Sequence, residues 1–277
     1  MTGTVEKTTI KLCTVAELDP VKTFECGQCF RWSADADGRY SGVASGRTAR
    51  LWTEGDDVFI EADEDDLPFW HDYLDMETDY AAARRSLDGA GAYMRTCAEH
   101  GAGIRILRQD KWETLCSFII SQCNNIPRIK GIVERLCAAF GDPVPGADGV
   151  YAFPAAERLE ALGDGELDFL RSGYRAEYIL SAARAVASGK MDLEAAARLP
   201  GDGAREALKA LPGVGDKVAN CVVLFGFHQM DAFPVDVWIR RVLREHFPPG
   251  FSPAQLGEYA GLAQQYMFYY ARTEGRA

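Results

Sequence analysis

The sequence has little positive charge and no long hydrophobic stretch. Its 277 residues include 30 Lys and Arg against 41 Asp and Glu, which gives a formal net charge of −11. Domains that bind nucleic acid are usually basic, so the overall charge argues against such a partner. The apolar runs are only a few residues long, far short of a membrane span. The N-terminus has no apolar or Arg-rich targeting segment, and we expect a soluble, cytoplasmic protein without a membrane partner.

The acidity is concentrated in one part of the sequence. Residues 1–100 carry 10 basic and 20 acidic side chains, whereas residues 101–277 carry 20 and 21. Residues 54–79 alone contain twelve acidic residues and neither Lys nor Arg. Outside this segment the charges nearly balance, so the rest of the chain permits a polyanionic partner. We expect the acidic segment to face away from such a partner.

The eight cysteines form neither a ligand set nor a disulfide framework. They are scattered and mostly set in apolar helical patterns, which is typical of free thiols in a reducing compartment. Cys26 and Cys29 have the spacing of a zinc knuckle, but no second pair of Cys or His completes a site. We interpret these two as small strand residues and predict no metal.

The spacing of apolar residues predicts an α+β fold, with a small N-terminal antiparallel β-sheet domain followed by a mainly α-helical body. We place an antiparallel β/α domain at residues 1–100 and an all-α domain at residues 101–277. The apolar period changes from 2 to 3.6 near residue 67, so the helical pattern begins within the first of these domains. The predicted strands are residues 8–13, 39–44, 48–53 and 58–61, the last two forming a hairpin around a turn at 54–57.

The helical period is clearest between Ile126 and Phe140. Apolar residues trace one face of this segment, and Gly141-Asp142-Pro143 ends it. Further helices are predicted at residues 155–163, 175–188, 203–211, 216–228, 236–247 and 253–272.

The most informative segment is Leu-Pro-Gly-Val-Gly-Asp-Lys at residues 211–217. Pro212 cannot extend the preceding helix, and Gly213 and Gly215 allow a tight turn before a second helix starts at Asp216. Backbone N–H groups at the start of a helix form an anion site, for which phosphate is the natural occupant. An ordinary helix connection with a glycine cap is the alternative.

This segment, followed by Phe-Pro-Val-Asp-Val at residues 233–237, resembles the helix-hairpin-helix superfamily of DNA glycosylases. Four further stretches narrow the similarity to the 8-oxoguanine DNA glycosylase/AP lyase family, in a bacterial-type branch: residues 27–32, 104–110, 121–129 and 172–178. The resemblance to this family covers about residues 24–272 and implies a helix-hairpin-helix body, a double-stranded DNA substrate containing 8-oxoguanine, a monomer and no cofactor.

The resemblance implies that Lys217 and Asp236 are catalytic. An amine that attacks C1′ of the nucleotide forms a Schiff base, and β-elimination can then nick the strand. The positive end of a helix and desolvation both disfavour a protonated amine, which suits Lys217 in the first turn of its helix. Asp236 is expected to position the nucleophile and to stabilise positive charge at the sugar. Without the resemblance, Lys217 could be a phosphate contact and Asp236 a helix N-cap.

The resemblance also implies a pocket for an extruded base, lined by the C-terminal helix at residues 253–272. The carbonyl of Gly27 would accept the N7–H that 8-oxoguanine has and guanine lacks. Phe268 and Cys221 would sandwich the base, and Gln264 would bind its Watson–Crick edge. On spacing alone, Phe268 is a core residue and Cys221 a core thiol. The predicted base-recognition residues are Gly27, Cys221, Pro234, Gln264 and Phe268.

A third group is expected to contact DNA and the base opposite the lesion. Cys123 stands where eukaryotic members carry an asparagine that contacts the orphaned cytosine, and Trp238 stands where they carry a phosphate-binding histidine. The asparagines at 124 and 125 could instead serve plain turn chemistry. The predicted contacts are Asn124, Asn125, Arg128, Tyr174, Arg175, Gly213, Gly215 and Trp238.

Two other functions fit parts of the sequence. A monofunctional alkylpurine glycosylase would keep the aspartate but lack the lysine, so Lys217 argues against it. A non-catalytic module that binds duplex DNA would use the hairpin alone. The sequence also lacks the Cys-x6-Cys-x2-Cys-x5-Cys run of the iron–sulfur branches of the superfamily.

Overall fold

A computed structural model describes residues 7–274, which begin with a five-stranded antiparallel sheet. The strand order is β1-β5-β4-β3-β2. The predicted hairpin is confirmed: Glu54 pairs with Asp57, and Gly55 has a φ of +62° in the turn between them. The strands are β1 (Lys7–Thr14), β2 (Trp32–Ala34), β3 (Tyr40–Ala44), β4 (Arg47–Glu54) and β5 (Asp57–Asp63).

The core of the sheet is built around Trp32. Its indole stacks on Phe24 at 4.0 Å between ring centroids and donates a hydrogen bond to the hydroxyl of Tyr73 at 3.0 Å. A side chain at Gly42 on the neighbouring strand would overlap the Trp32 rings, so only glycine fits there. This packing fixes the position of β2, the edge strand that follows residues 27–31.

A mainly helical body follows the sheet, as predicted. The helix over Ile126–Phe140 ends at Gly141, as its pattern indicated. The helices are α1 (Pro20–Glu25), α2 (Leu67–Tyr73), α3 (Tyr80–Ser86), α4 (Ala92–His100), α5 (Lys111–Ile120), α6 (Ile126–Phe140), α7 (Ala156–Glu160), α8 (Arg175–Ala187), α9 (Leu193–Ala197), α10 (Gly201–Lys209), α11 (Asp216–Phe225), α12 (Val237–His246) and α13 (Ala260–Thr273). Within residues 7–274, no helix is both long and apolar enough to cross a membrane.

Two local predictions were wrong. Helix α1 lies between the predicted strands at residues 8–13 and 39–44, where Asp19 caps it by accepting from the Lys22 amide at 3.1 Å. Cys26 and Cys29 therefore follow a helix and are not strand residues. The predicted helix at residues 253–272 is divided: Pro253–Tyr259 is a 3₁₀ segment in which Gly257 has a φ of +70°, and α13 begins only at Ala260.

The turn that carries Gly27 is held by a buried glutamine. The Gln28 side chain donates to the carbonyl of Arg105 at 2.7 Å and accepts from the amide of Leu107 at 2.9 Å. Gln109 donates to the Gln28 carbonyl at 2.9 Å. The extended segment before α5 therefore fixes the position of Gly27.

Each of the two hydrophobic cores includes residues from both sides of the predicted domain boundary at residue 100. Cys26 and Phe30 belong to the core of the helical body, whereas Leu107 belongs to the core of the sheet. The division at residue 100 remains a prediction.

Candidate active site

The turn between α10 and α11 has the geometry that its glycines predicted. Gly213 has a φ of +80°, and a side chain there would overlap the ring of Tyr178 on α8. Gly215 is the N-cap of α11 and faces open space. Because glycine has no side chain to cap the helix, the first amides of α11 are left for an external acceptor.

Lys217 lies in the first turn of α11 and is half-buried. Its amine donates a hydrogen bond to the Ser121 hydroxyl at 3.0 Å. The same nitrogen lies 5.2 Å from the centre of the Phe118 ring, within the range of a cation–π contact. Ser121 and Phe118 both lie at the end of α5, whereas Lys217 lies on α11. The position of the amine therefore depends on a contact between two helices that are far apart in the sequence.

Cys221 lies one turn after Lys217 on the same face of α11 and is 3% exposed. Burial raises the pKa of its thiol to about 11, although the neighbouring Lys217 acts in the opposite direction. The thiol is therefore neutral at physiological pH and offers an apolar, polarisable surface. Lys217 and Cys221 are thus brought together, as predicted.

Asp236 is the N-cap of α12, so the interpretation of this residue as a helix cap is confirmed. Its carboxylate accepts from the amide of Ile239 at 2.9 Å. The charge of Asp236 also contributes to the raised pKa of Cys221, so the carboxylate acts in the same neighbourhood as Lys217. The preceding Pro234 is buried.

Gly27 and Phe268 come together although 241 positions separate them in the sequence. A Cβ built on Gly27 would lie 3.4 Å from the Phe268 ring and 3.3 Å from Ile126. The Arg272 guanidinium lies over the Phe268 ring at 5.2 Å, and Arg272 donates to the Glu25 carbonyl at 3.3 Å. The N-terminal turn and the C-terminal helix therefore form one wall.

Gln264 lies one turn before Phe268 on α13 and is 4% exposed. Its Oε1 atom is buried and has no hydrogen-bond partner among the described residues. A buried acceptor without a partner costs free energy, about 1–3 kcal/mol. Such an atom is a candidate for binding a ligand that carries N–H groups.

The predicted opposite-base residues lie on two neighbouring loops. Asn125 caps α6 by accepting from the Arg128 amide at 3.0 Å, and Asn124 donates to the Ile120 carbonyl at 3.3 Å. Arg128 donates to the carbonyl of Arg171 at 3.0 Å and thereby joins the loops. Cys123 is exposed, with a φ of +47°.

Arg175 is 6% exposed and donates to two backbone carbonyls, those of Gln122 and Ser172, each at 2.9 Å. Its guanidinium lies over the ring of Tyr174, which is 49% exposed. Arg175 thus holds the two loops together, and its contact with a base remains a prediction. Trp238 lies in the first turn of α12 and is half-buried.

Ser121 and Phe118 are site residues that the sequence did not predict. Their spacing places both at the end of α5, but the contact with Lys217, 96 residues away, has no local signal. Among the described residues, no group of three or more His, Cys, Asp and Glu side chains could hold a metal ion.

The chain is similar to known proteins over almost its whole length. Residues 11–115 match the N-terminal domain of 8-oxoguanine DNA glycosylases, and residues 116–254 match the HhH-GPD superfamily of base excision DNA repair proteins. The N-glycosylase/DNA lyase OGG1 of Arabidopsis thaliana is 31% identical over 297 residues, which cover 96% of this chain and 80% of that protein.

Two solved structures share this fold in full. A protein called MBOgg1, in complex with a low-affinity DNA ligand, is 38% identical with a TM-score of 0.89 and covers 100% of this chain and 98% of its own. The 8-oxoguanine glycosylase/lyase of Clostridium acetobutylicum, bound to double-stranded DNA with cytosine opposite 8-oxoguanine, is 31% identical with a TM-score of 0.87 and covers 98% of both chains.

Proposed function

Since the chain belongs to the HhH-GPD superfamily of base excision DNA repair proteins and carries the N-terminal domain of 8-oxoguanine DNA glycosylases, we propose that Lys217 and Asp236 carry out its reaction. The protein is a bifunctional 8-oxoguanine N-glycosylase and DNA lyase. The observation that supports the role of Lys217 is its position beside the hairpin, half-buried and in contact with Cys221.

The chemistry assigns Lys217 the nucleophilic step. Its neutral amine forms a bond to C1′ while the bond from C1′ to the base breaks, and the base leaves with the electron pair and takes up a proton. The nitrogen then loses a proton, and the C1′–O4′ bond breaks with its electron pair going to O4′, which takes up a proton. The sugar ring is thereby opened and the Schiff base is formed. Removal of a proton from C2′ then expels the 3′ phosphate by β-elimination and cuts the strand.

Asp236 supplies negative charge where positive charge develops at the sugar. A fixed carboxylate in a partly desolvated site stabilises such a charge more than it would in water. Its capping bond with Ile239 holds the carboxylate in place before the substrate arrives. A capping role and a catalytic role are therefore compatible.

The base pocket is formed by Gly27, Cys221, Gln264 and Phe268, with Pro234 in the segment before α12. The carbonyl of Gly27 accepts the N7–H of 8-oxoguanine, and the unpaired Oε1 of Gln264 accepts an N–H of the Watson–Crick edge. Guanine lacks the N7–H and would leave the Gly27 carbonyl facing another acceptor. This mismatch gives the site a means to reject the undamaged base.

The DNA backbone and the opposite base are held by polar groups around this pocket. The amides that follow Gly215 bind phosphate, and Arg128 approaches the orphaned base from the neighbouring loop. The remaining contacts are those of Asn124, Asn125, Tyr174, Arg175, Gly213 and Trp238.

We expect the enzyme to act as a cytoplasmic monomer on double-stranded DNA. Gly27 and Phe268 come together within a single chain, which supports a pocket built by one copy. All eight cysteines are free thiols, which fits a reducing compartment.

The test is an assay on duplexes that carry 8-oxoguanine opposite each of the four bases. Base release, strand cleavage and covalent trapping by borohydride are measured together. The wild type should release the base, nick the strand and become trapped, whereas Lys217→Gln should lose trapping completely. The exposed Lys209 on α10, paired with Asp216 at 2.8 Å, provides the control, and Lys209→Gln should be trapped normally. Trapping of Lys217→Gln would show that another group is the nucleophile.

A further inference from the structure

The end of α5 contacts the amine of Lys217 through a serine whose hydrogen bonds have a defined direction. Ser121 is 9% exposed and forms the C-cap of α5. Its hydroxyl is 2.8 Å from the Phe118 carbonyl and 3.0 Å from the nitrogen of Lys217. A carbonyl can only accept, so the single hydroxyl proton is donated to Phe118. The lone pairs of the Ser121 oxygen are then left for an N–H of Lys217.

This direction matters because a neutral amine has only one lone pair. If the serine proton pointed toward Lys217, it would occupy that lone pair and block attack. With the proton given to Phe118, Ser121 binds an N–H of the amine in both its protonated and its neutral form. The lone pair of the neutral amine therefore stays free for C1′.

A second contact from the same helix turn restricts the amine further. The Phe118 ring lies under the nitrogen at 5.2 Å and is itself fixed by stacking on Phe225 at 5.3 Å and by an edge contact with Phe30 at 5.7 Å. The ring is 3% exposed and cannot turn away without disturbing this aromatic cluster. Lysine has a long, flexible side chain, so two fixed contacts reduce the positions that its amine can occupy.

We propose that Ser121 is a positioning residue that holds the amine of Lys217 with its lone pair free for attack on C1′. The proposal rests on the proposed role of Lys217 as nucleophile. Ser121 touches neither the base nor the sugar in this scheme and acts only through Lys217. Its effect should therefore appear in every step that needs the amine, including attack on a site that has already lost its base.

The experiment compares Ser121→Ala, Ser121→Thr and the matched control Ser117→Ala. Ser117 is buried one turn earlier on α5, and among the described residues its hydroxyl is not a hydrogen-bond partner of Lys217. Each protein is assayed under single-turnover conditions on 8-oxoguanine duplex. Borohydride trapping is measured on duplex with a preformed abasic site. Affinity for a non-cleavable abasic analogue and the thermal midpoint report binding and folding.

Ser121→Ala should lower both the excision rate and the trapping rate about 10- to 100-fold, since a misplaced reactive group costs roughly that much. Its affinity for the analogue and its thermal midpoint should match those of Ser117→Ala. Ser121→Thr keeps the hydroxyl and should recover most of the trapping rate.

Two results would overturn the proposal. Trapping on the abasic duplex at the wild-type rate in Ser121→Ala would show that the amine does not depend on Ser121. An equal loss in Ser121→Thr, with an unchanged thermal midpoint, would show that the hydroxyl is not what matters. Absence of trapping in the wild type would instead contradict the role of Lys217, so the two failures are distinguishable.

Discussion

Gly27 and Phe268 lie so close together that a single added carbon would fill the space between them. The distance from a Cβ at Gly27 to the Phe268 ring is 3.4 Å, and the φ of Gly27 is +79°. Both facts call for glycine at this position, because a side chain would be strained and would narrow the pocket. They also bring the backbone of Gly27 next to the proposed base platform.

We predict that Gly27→Ala loses base excision but keeps lyase activity. The added methyl group should crowd Phe268 and Ile126 and hinder entry of the base, with at least a tenfold loss of 8-oxoguanine release. Nicking of a preformed abasic site should change much less, since that substrate has no base to accommodate. Both activities are measured on otherwise identical duplexes.

Gly38 provides a control with the same backbone conformation. Its φ is +78°, and no atom lies within 4 Å of a Cβ built there. Gly38→Ala should lose about 1–2 kcal/mol of stability, similar to Gly27→Ala, because both place an L-residue in the left-handed region. Base excision should remain unchanged. If both variants lost excision equally, backbone strain and not the pocket would be responsible.

Asp236→Asn should separate the charge of this residue from its capping role. Asparagine caps helices as well as aspartate does, so the hydrogen bond to Ile239 and the thermal midpoint should be retained. Loss of the negative charge should reduce single-turnover excision at least 100-fold. A variant with wild-type turnover on damaged DNA would remove Asp236 from the mechanism.

The sequence was sufficient to predict features that depend on residues close together along the chain. The β4–β5 hairpin, the end of α6 at Gly141 and the cap at Asp236 all follow from turn chemistry or apolar period within about 15 residues. The break at Gly257 was not predicted, because the apolar pattern continues through it and only the backbone conformation reveals it.

Contacts between distant segments could not be predicted from such patterns. The approach of Gly27 to Phe268 and the hydrogen bond from Lys217 to Ser121 depend on how α5, α11 and α13 pack. Family resemblance supplied the roles proposed for Gly27, Phe268 and Lys217. It gave no role to Ser121, which only the three-dimensional arrangement brings to the amine.

The affinity for DNA should depend weakly on salt. Strand β2 follows residues 27–31 and is therefore the strand next to the proposed base pocket. Strand β5, within the acidic segment, is separated from β2 by two strands, about 14 Å across the sheet at the usual spacing. We therefore expect this segment to face away from DNA and the slope of log affinity against log salt to reflect fewer than about six neutralised phosphates. Titrations between 50 and 200 mM salt, roughly the range where such slopes are clear, measure it.

Charge variants show where the salt dependence arises. Glu64→Gln with Asp65→Asn removes two exposed acidic side chains and should leave the affinity nearly unchanged. Arg128→Ala should weaken binding and alter base preference. A steep slope, or a large gain in affinity from the acidic-segment variant, would place that segment near the DNA.

Glu113 should make the stability of the protein depend on pH. Burial raises the pKa of its carboxyl from 4.5 to about 7, although Arg31, 3.9 Å away, acts in the opposite direction. A folded-state pKa above the unfolded value means that the folded protein holds the extra proton, so stability is lost as pH rises from about 4.5 to about 7. Above the folded pKa both states are ionised, and the penalty stays constant at about 3 kcal/mol.

Glu113→Gln removes this titration and should be as stable as the wild type near pH 4.5. Its advantage in free energy of unfolding should grow to pH 7 and then level off at about 3 kcal/mol. Urea denaturation between pH 4.5 and 8 measures the difference, and the exposed Glu134 provides the control variant Glu134→Gln. A gap between Glu113→Gln and the wild type that does not change with pH would show that Glu113 ionises with equal ease in the folded and unfolded chain.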